Sequence, residues 1–204
     1  AGPFTAMRFG MGPPGPARIA LPPVTGRYPK GPSFFLSCDQ QYLLSYGLPL
    51  IRSLVARDVN VPIHLHLMSN DWSLAKQLHG EGISVTVEDP SVALAASGID
   101  PFQYYGAVRL IRFAEAVEQA SGALCMLDVD ALAYGNPMEI LETPGDICLR
   151  VRPGRVEPWH QFSACIVLGR LGGAAYFRQA AEIIAGHLHA PFWGLDQYAL
   201  FSAW

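Results

Sequence analysis

The sequence predicts an α/β fold in which helices pack on a mixed, mostly parallel sheet. From residue 33 onward, short apolar runs alternate with stretches of helical period, and this alternation is typical of parallel strands joined by crossover helices. Apolar residues make up 50% of the 204 residues and charged residues 15%, which is enough apolar surface for one sizeable core. Such sheets bind ligands outside the carboxyl ends of their strands, so we expect the functional site there.

The first 32 residues differ from the rest of the chain. They contain eight prolines and scattered glycines without a hydrophobic period, so we predict an extended arm at 1–32 and one domain at 33–204. Two alternatives stay open for the arm, which is either a linker or mobile tail or a segment that packs on the domain.

The pattern up to residue 120 predicts three strand–helix units. The strands are expected at 33–38, 62–69 and 82–89, and the helices at about 41–57, 71–80 and 103–120. The last helix has apolar residues at three- and four-residue spacing, which leaves Arg112, Glu115 and Glu118 on its other, polar face. We expect Gly122 to end it.

The second half begins with an apolar strand that ends in acidic residues, within 123–137, and turns at Gly135, Asn136 and Pro137. Further strands are expected at 146–152 and 161–170, and helices at 174–189 and 194–204.

Charge, hydropathy and cysteine usage exclude several classes of protein. The net charge of −3 provides no basic field for a polyphosphate backbone, so nucleic acid is not an expected partner. No run of eighteen apolar residues occurs, so we predict no membrane span. The cysteines lack C-x-x-C spacing and lie in strand-like runs, which favours free thiols and a cytoplasmic location; they are Cys38, Cys125, Cys148 and Cys165.

The acidic strand end, Asp128-Val129-Asp130, is a candidate metal site. Alternation along an extended chain would point both carboxylates the same way, where they suit Mn²⁺ or Mg²⁺ shared with phosphate oxygens. The alternatives are a solvated strand end or a helix cap. An aspartyl-phosphate site is less favoured, because such sites need a downstream cation and both lysines, Lys30 and Lys76, precede Asp128.

Three segments together carry a family resemblance: FFLSCDQQY at 34–42, YYGAVRLIRFAEAV at 104–117 and MLDVDALAYGNP at 126–137. In order and spacing they resemble the glycosyltransferases of the GT-A fold, and most closely family 8, the galactosyltransferase and glycogenin type. The resemblance covers about 33–204 and implies a GT-A fold and a UDP-sugar donor.

The resemblance also implies roles for individual residues. Ser37, Asp39 and Tyr42 match the positions that bind uridine, and a carboxylate and an aromatic ring suit the uracil N–H and its face; Asp39 is alternatively a helix cap. Arg109 matches the arginine that reaches the donor and the metal carboxylates, with a solvent-facing helix charge as its alternative. The metal motif itself corresponds to Asp128, Val129 and Asp130.

Two further matches are weaker. QFSACIVLGR at 161–170 resembles the family's FNxGvmliN strand, but Ser163 and Cys165 stand at the Asn and Gly positions. GLDQYAL at 194–200 resembles the DQDxLN element, which puts Asp196 and Gln197 near the reacting sugar carbon. Asp196 is alternatively a residue that favours the helix N-terminus.

The family's third metal ligand, a histidine in a later segment, has no counterpart before Trp204, so we expect either a fragment, a two-aspartate site or a loss of activity. His187 and His189 are weak substitutes. His64 and His66 have the spacing of a zinc pair, but ordinary strand histidines are the favoured interpretation. The loop arginines Arg150, Arg152 and Arg155 either clamp an anion or are solvated, and Trp159 with His160 either forms a sugar-stacking wall or anchors the loop.

The leading hypothesis is a metal-dependent glycosyltransferase that moves a sugar from a UDP-sugar to an acceptor hydroxyl, with retention at the anomeric carbon. The acceptor is a saccharide, a lipid or a protein. If the transfer inverts, Asp196 and Glu157 are the first candidates for the base. The alternatives are a catalytically degenerate nucleotide-sugar or glycan-binding module of a larger protein and a metal-dependent hydrolase.

Overall fold

A computed structural model describes residues 19–80, 83–155 and 157–204. The first 18 residues of the expected arm, the start of the strand expected at 82–89, and the Trp159 side chain lie outside this description.

The described residues form one seven-stranded sheet at the centre of the domain. Its strands are β1 (Thr25–Gly26), β2 (Ser33–Asp39), β3 (Ile63–Met68), β4 (Ser84–Glu88), β5 (Leu124–Leu127), β6 (Ile147–Val151) and β7 (Phe162–Gly169). They lie in the order β1-β4-β3-β2-β5-β7-β6. Pairing is parallel from β4 to β5, whereas β7 is antiparallel to both β5 and β6, and β1 is antiparallel to β4. The predicted mixed, mostly parallel sheet is confirmed.

Helices cover both faces of the sheet. They are α1 (Gln40–Tyr42), α2 (Leu48–Val55), α3 (Ser73–Gly80), α4 (Ser91–Ser97), α5 (Pro101–Gln119), α6 (Met138–Glu142), α7 (Pro158–Gln161), α8 (Ala174–His187) and α9 (Leu195–Ala203). A π-helical turn, Leu43–Gly47, separates α1 from α2, so the helix expected at 41–57 is interrupted. The short helices α4, α6 and α7 were not predicted.

Two apolar layers hold the helices to the sheet. One contains Phe35 of β2 together with buried residues of α5, α8 and α9, and the other contains Phe34 and Leu36 with buried residues of α2, α3 and α6. Because both faces of β2 are buried, apolar residues follow one another in its sequence, as in Phe34, Phe35 and Leu36, instead of alternating with polar ones. This is why the strand was recognisable from the sequence.

Arg112 is buried, whereas the helical period of α5 predicted it on a polar face. It is 4% exposed, and its Nε donates to Glu88 Oε2 at 2.6 Å while its Nη1 donates to Glu115 Oε1 at 2.8 Å. The prediction failed because the neutralising carboxylate comes from β4, which the period of α5 does not reveal. Burial acts to raise the pKa of Glu88, but His66 and Arg112 outweigh it and lower that pKa.

The end of α5 also differs from the expectation. The helix ends at Gln119 and Ala120 has extended dihedral angles, so Gly122 does not terminate it. Instead Gly122 lies against the arm, where a Cβ would be 2.6 Å from Pro32 N.

The described part of the arm packs on the domain. Thr25 and Gly26 extend the sheet beside β4, the Tyr28 hydroxyl donates to Glu115 Oε2 at 2.7 Å, and Ser121 N donates to Lys30 O at 2.7 Å. For residues 19–32, the packed alternative therefore holds, and the domain boundary at residue 32 stays a prediction.

The strand histidines are buried and hydrogen-bonded. Both rings contact Thr86 Oγ1, His64 through Nε2 at 2.9 Å and His66 through Nδ1 at 3.0 Å. Among the residues described, no group of three His, Cys, Asp or Glu side chains could hold a metal ion, so the zinc interpretation is not supported. All four cysteines are free, and Cys38 and Cys125 are buried. In the described part of the chain we find no helix with the length and apolar character to cross a membrane.

Candidate functional site

A cleft of about 220 Å³ lies at the carboxyl edge of β2 and β5, between α5 and the start of α9. The ten residues that match the family resemblance all line it: Ser37, Asp39, Tyr42, Arg109, Asp128, Val129, Asp130, Ser163, Asp196 and Gln197. The strand order explains this assembly, because β5 pairs directly with β2 although about ninety residues separate them in the chain. The residues share a cleft, and their roles stay predictions.

The end of β2 provides one wall of the cleft. Asp39 caps α1, since its Oδ1 accepts a hydrogen bond from Tyr42 N at 2.8 Å, so the capping alternative holds for this oxygen. The hydroxyl of Ser37 is buried and has no hydrogen-bond partner among the described residues. A buried hydroxyl without a partner is costly unless a ligand or water meets it.

The aspartates after β5 do not continue the strand. β5 ends at Leu127, and Ala131 N donates to Asp128 O at 3.1 Å, so the acidic motif forms a turn. The expected alternation is wrong beyond Leu127, and the two carboxylates have different partners. Asp130 accepts a hydrogen bond from the Tyr42 hydroxyl at 3.2 Å, and burial together with the Asp130 charge raises the pKa of Tyr42 to about 12.

Arg109 joins the two helices that flank the cleft to the acidic turn. Its Nη1 contacts Asp128 Oδ1, and its Nη2 donates to Asp196 Oδ2 at 2.7 Å. Burial acts to lower the pKa of Arg109, but the charges of Asp196 and Asp128 outweigh it and raise that pKa above its ordinary value. The solvent-facing alternative for Arg109 therefore does not hold.

Asp196 reaches this pair from the first turn of α9. It is 8% exposed, and its second oxygen, Oδ1, accepts from Gln197 N at 2.8 Å. Gly194 precedes the helix with a φ of 84°, a left-handed conformation that glycine adopts without strain. This turn brings Asp196 to the cleft.

The far wall of the cleft consists of β7 and the end of β6. Ser163 is buried; its hydroxyl accepts from Arg152 Nη2 at 2.8 Å and donates to Cys165 Sγ at 2.9 Å. The two residues that depart from the family pattern, Ser163 and Cys165, are thus hydrogen-bonded to each other.

An aromatic pair at the mouth of the cleft was missed by the sequence analysis. Phe102 and Trp193 stack with ring centroids 5.8 Å apart and an interplanar angle of 2°, and both are exposed. Each lies just outside a motif, at the start of α5 and just before α9, and a search of the motif flanks for aromatic residues would have found them.

Several other candidates lie outside the cleft. Glu157 contacts His160 at 3.2 Å, and neither lines the cavity. His187 Nδ1 lies 2.7 Å from Ile183 O within α8, which is a structural contact. His189 is exposed, and Arg155 is exposed in the loop after β6.

The carboxylates of Asp128 and Asp130 are the side chains in the cleft's acidic turn that could hold a divalent ion. Among the residues described, no group of three His, Cys, Asp or Glu side chains could hold an ion. The acidic turn therefore offers a divalent ion two carboxylates. Mg²⁺ in proteins is commonly bound in this way, by one or two carboxylates with substrate phosphates and water. The donor set therefore fits an ion that is shared with a phosphorylated ligand.

No family model matches the sequence, and no curated protein matches it. Solved structures do match the fold. The galactosyltransferase LgtC, in complex with donor and acceptor sugar analogues, has a TM-score of 0.56 at 19% identity over 83% of this chain and 70% of its own. GlyE of Streptococcus pneumoniae has a TM-score of 0.56 at 15% identity, and mouse xyloside xylosyltransferase 1 has 0.50 at 14%.

Coverage of these proteins is unequal. The chain matches 81% of the mouse enzyme but only 42% of GlyE, with 83% and 84% of its own length aligned. At these identities the likeness establishes the architecture, and the matched structures are those of glycosyltransferases. The chain therefore has the GT-A fold of glycosyltransferases.

Proposed function

We propose that this chain is a glycosyltransferase domain that transfers a sugar from a UDP-sugar to an acceptor hydroxyl, with Mn²⁺ or Mg²⁺ and with retention at the anomeric carbon. The observation that carries the proposal is the assembly, in one cleft of a GT-A fold, of the ten residues that match the family resemblance. The acceptor is a saccharide, a lipid or a protein.

The order of strands supports a direction for the donor along the cleft. Asp39 ends β2 and Tyr42 follows it, the acidic turn follows β5, and Ser163 lies near the start of β7 beyond it. A nucleoside at β2 would bring a diphosphate to the acidic turn and the sugar towards β7. The unpartnered Ser37 hydroxyl then meets the nucleotide end of the donor.

Asp128 and Asp130 would hold the divalent ion, which when bound supplies positive charge that offsets the charge of the departing diphosphate. Arg109 adds a fixed positive charge beside Asp128. Because Asp128 and Asp196 hold the guanidinium from both sides, it needs little reorganisation when charge develops on a ligand.

The contacts of Asp196 support retention. One of its oxygens binds Arg109 and the other binds Gln197 N, an arrangement better suited to orienting Arg109 than to removing a proton from an acceptor. Glu157, the other candidate base, is exposed and lies outside the cleft lining.

The first test is ligand-induced thermal stabilisation with UDP, GDP, ADP and CMP, each with and without Mn²⁺. Stabilisation follows affinity by mass action. We expect a UDP-specific, Mn²⁺-dependent shift that Asp130→Asn abolishes. Asp130 is exposed and does not pair with Arg109, so this variant perturbs the fold less than a change at Asp128.

Tyr42→Phe is the matched control, since it removes the hydroxyl that binds Asp130 but keeps the ring and both carboxylates. We expect it to keep the Mn²⁺ dependence. Absence of any nucleotide-induced shift in the wild type would refute the donor assignment.

The binding module and the hydrolase are separated by following the donor's sugar. A transferase gives sugar on an added acceptor, whereas a hydrolase releases free sugar or phosphate without an acceptor and without inhibition by UDP. A degenerate module binds UDP, retains binding in Asp128→Asn/Asp130→Asn, and releases no product.

A further inference from the structure

Arg152 is a cation in the cleft that has no acidic partner in the described part of the chain. Of the arginines that the structure describes, Arg109 and Arg152 line the cavity, and Arg109 is neutralised by Asp128 and Asp196. Arg152, in contrast, forms no ion pair within the described residues. These include every acidic residue of the chain except Glu81, which lies in the connection before β4.

Arg152 is held in a defined position. Its backbone N donates to Gln161 O at 2.7 Å, and its Nη2 donates to Ser163 Oγ at 2.8 Å. Since the Ser163 proton is directed to Cys165 Sγ, the serine oxygen is the acceptor for Arg152. A guanidinium carries five N–H donors, so this bond fixes the group and leaves most of its donors for a ligand.

The strand order sets the position of Arg152 along the cleft. From the Asp39 end, the sequence of strands is β2, β5, β7 and β6, and Arg152 directly follows β6. At about 4.8 Å per strand spacing, its backbone lies roughly 14 Å across the sheet from the end of β2, and its guanidinium contacts Ser163 on the neighbouring β7. In the proposed donor orientation, this is the sugar end of the cleft.

We propose that Arg152, positioned by Ser163, recognises an anionic oxygen group, a carboxylate or a phosphate, on the substrate at the sugar end of the cleft, with a hexuronic acid on the donor as the favoured source. The proposal rests on the proposed function. A planar guanidinium binds such groups through two parallel hydrogen bonds. A neutral hexose would leave a half-buried cation without a counter-charge, so it would bind more weakly.

The test is calorimetric titration, in the presence of Mn²⁺, of UDP-glucuronate and UDP-galacturonate against UDP-glucose and UDP-galactose. Hydrogen bonds to charged groups contribute enough for roughly a tenfold or greater preference. We expect that preference for the hexuronates in the wild type, its loss in Arg152→Gln and its partial retention in Arg152→Lys. UDP itself should bind all three proteins equally.

Arg155→Gln is the matched control, because Arg155 is exposed in the same loop and does not line the cleft; it should keep the wild-type preference. Ser163→Ala should weaken the preference without removing it. Circular dichroism and thermal unfolding verify that each variant is folded.

A second arm identifies the source of the anion. With UDP bound, glucuronate and glucose 6-phosphate are titrated against glucose, and an Arg152-dependent preference for either anion assigns the anionic group to the acceptor. Both arms support recognition by Arg152, and they differ only in which substrate carries the charge.

Two results would overturn the inference. The first is equal affinity of the wild type for neutral and anionic ligands in both arms. The second is a loss of UDP affinity in Arg152→Gln that is as large as the loss of UDP-hexuronate affinity, which would make Arg152 a diphosphate contact. In both cases UDP still binds the wild type, so the proposed function survives. If UDP does not bind at all, the proposed function itself fails and this inference falls with it.

Discussion

Arg109 shows how one side chain in the cleft depends on its neighbours. It spans Asp128 and Asp196 with two different nitrogens of one planar group. Lysine carries the same charge as a point and cannot reproduce this fork. Charge alone is therefore insufficient at this position.

For this reason we predict that Arg109→Lys lowers the rate of sugar transfer by about 10² to 10³, the usual range for loss of a fixed electrostatic contact. Steady-state kinetics with a UDP-sugar measures the effect. Arg178→Lys, at an exposed ion pair with Glu118, is the control and should leave the rate unchanged. A wild-type rate in Arg109→Lys would contradict the bridging role.

A second prediction compares two arginines that the sequence does not distinguish. Arg112 is buried against Glu88, whereas Arg178 pairs with Glu118 at the surface. Arg112→Ala leaves a buried carboxylate without its partner and should lower the free energy of unfolding by about 3 to 5 kcal/mol. Arg178→Ala should cost at most about 1 kcal/mol. Urea titration measures both, and similar losses would disprove the distinction.

The ionic partners of Arg109 and Arg112 were not equally predictable from the sequence. Arg109 was identified because it lies inside a motif with a known neighbour, the acidic turn. The burial of Arg112 was missed, because its counter-charge comes from β4 and helical period alone places it on a polar face. Partners from another element are not encoded in the local pattern.

Among the elements, β3 has the unusual property of carrying two buried histidines. Burial, with a smaller contribution from the neighbouring His66, lowers the pKa of His64 to about 3. Burial likewise lowers the pKa of His66, although Glu88 acts against it. Tyr28 and Phe35 pack on the His64 ring, and Arg112 adds a positive charge nearby.

The direction of the pH effect follows from proton linkage. In the unfolded chain both histidines take up protons below about pH 6.5, whereas in the folded chain they stay neutral. The contribution of the two neutral histidines to the free energy of unfolding is therefore fully present above that pH and is lost as the pH decreases towards 3. Between pH 6.5 and 5 we predict a loss of about 1.5 kcal/mol for each histidine that stays neutral.

Urea unfolding at several pH values measures this loss, and His64→Gln should remove about half of the slope. His189→Gln is the control, since His189 is exposed and should leave the slope intact. The lowered pKa of Glu88 acts in the same direction but at lower pH, below about 4.5. A pH-independent stability between 6.5 and 5 would show that the histidines become protonated in the folded state.

The elements also differ in how well the sequence predicted them. β2 and β3 are short, largely apolar segments that are buried on both faces, and they were predicted to within two residues at each end. The short helices α4, α6 and α7 have four to seven residues, too few for a helical period to be recognised. The acidic turn was mistaken for strand because the D-x-D pattern is compatible with both a strand and a turn. The hydrogen bond that closes the turn cannot be seen in the sequence.

Across the whole molecule, the arm and the domain meet at a close backbone contact. Gly122 lies against Pro32, with no room for a Cβ, and Ser121 binds Lys30 O. We predict that Gly122→Ala pushes the arm away and lowers the free energy of unfolding by about 1 to 3 kcal/mol, as overpacking usually does. Differential scanning calorimetry measures the change.

Gly135→Ala is the control for this variant, because a Cβ at Gly135 would meet no described residue within 4 Å. It should leave the melting temperature nearly unchanged. If Gly122→Ala melts like the wild type, the arm contributes little to the stability of the domain.

The location of the cleft was predictable at this scale, since strand–helix alternation indicates the sheet edge where strand ends meet. The sequence could not reveal how the walls beyond β5 are built. The antiparallel β7 reverses direction, so the beginning of that strand, at Ser163, faces the cleft together with the end of β6. Arg152 and Ser163 become neighbours only through this reversal.

The pairing of β2 with β5 also determines when the cleft can exist during folding. The connection between β2 and β3, which lies between Asp39 and Ile63, has 23 residues. The loop that closes when β2 pairs with β5 is much longer, because Ser33 pairs with Leu124. Closing the longer loop costs more entropy, and such non-local pairings form slowly. We expect the parallel core of β2, β3 and β4 to form before β5 docks. Competence to bind a nucleotide should then appear only in the slowest refolding phase, after most of the helical signal has returned.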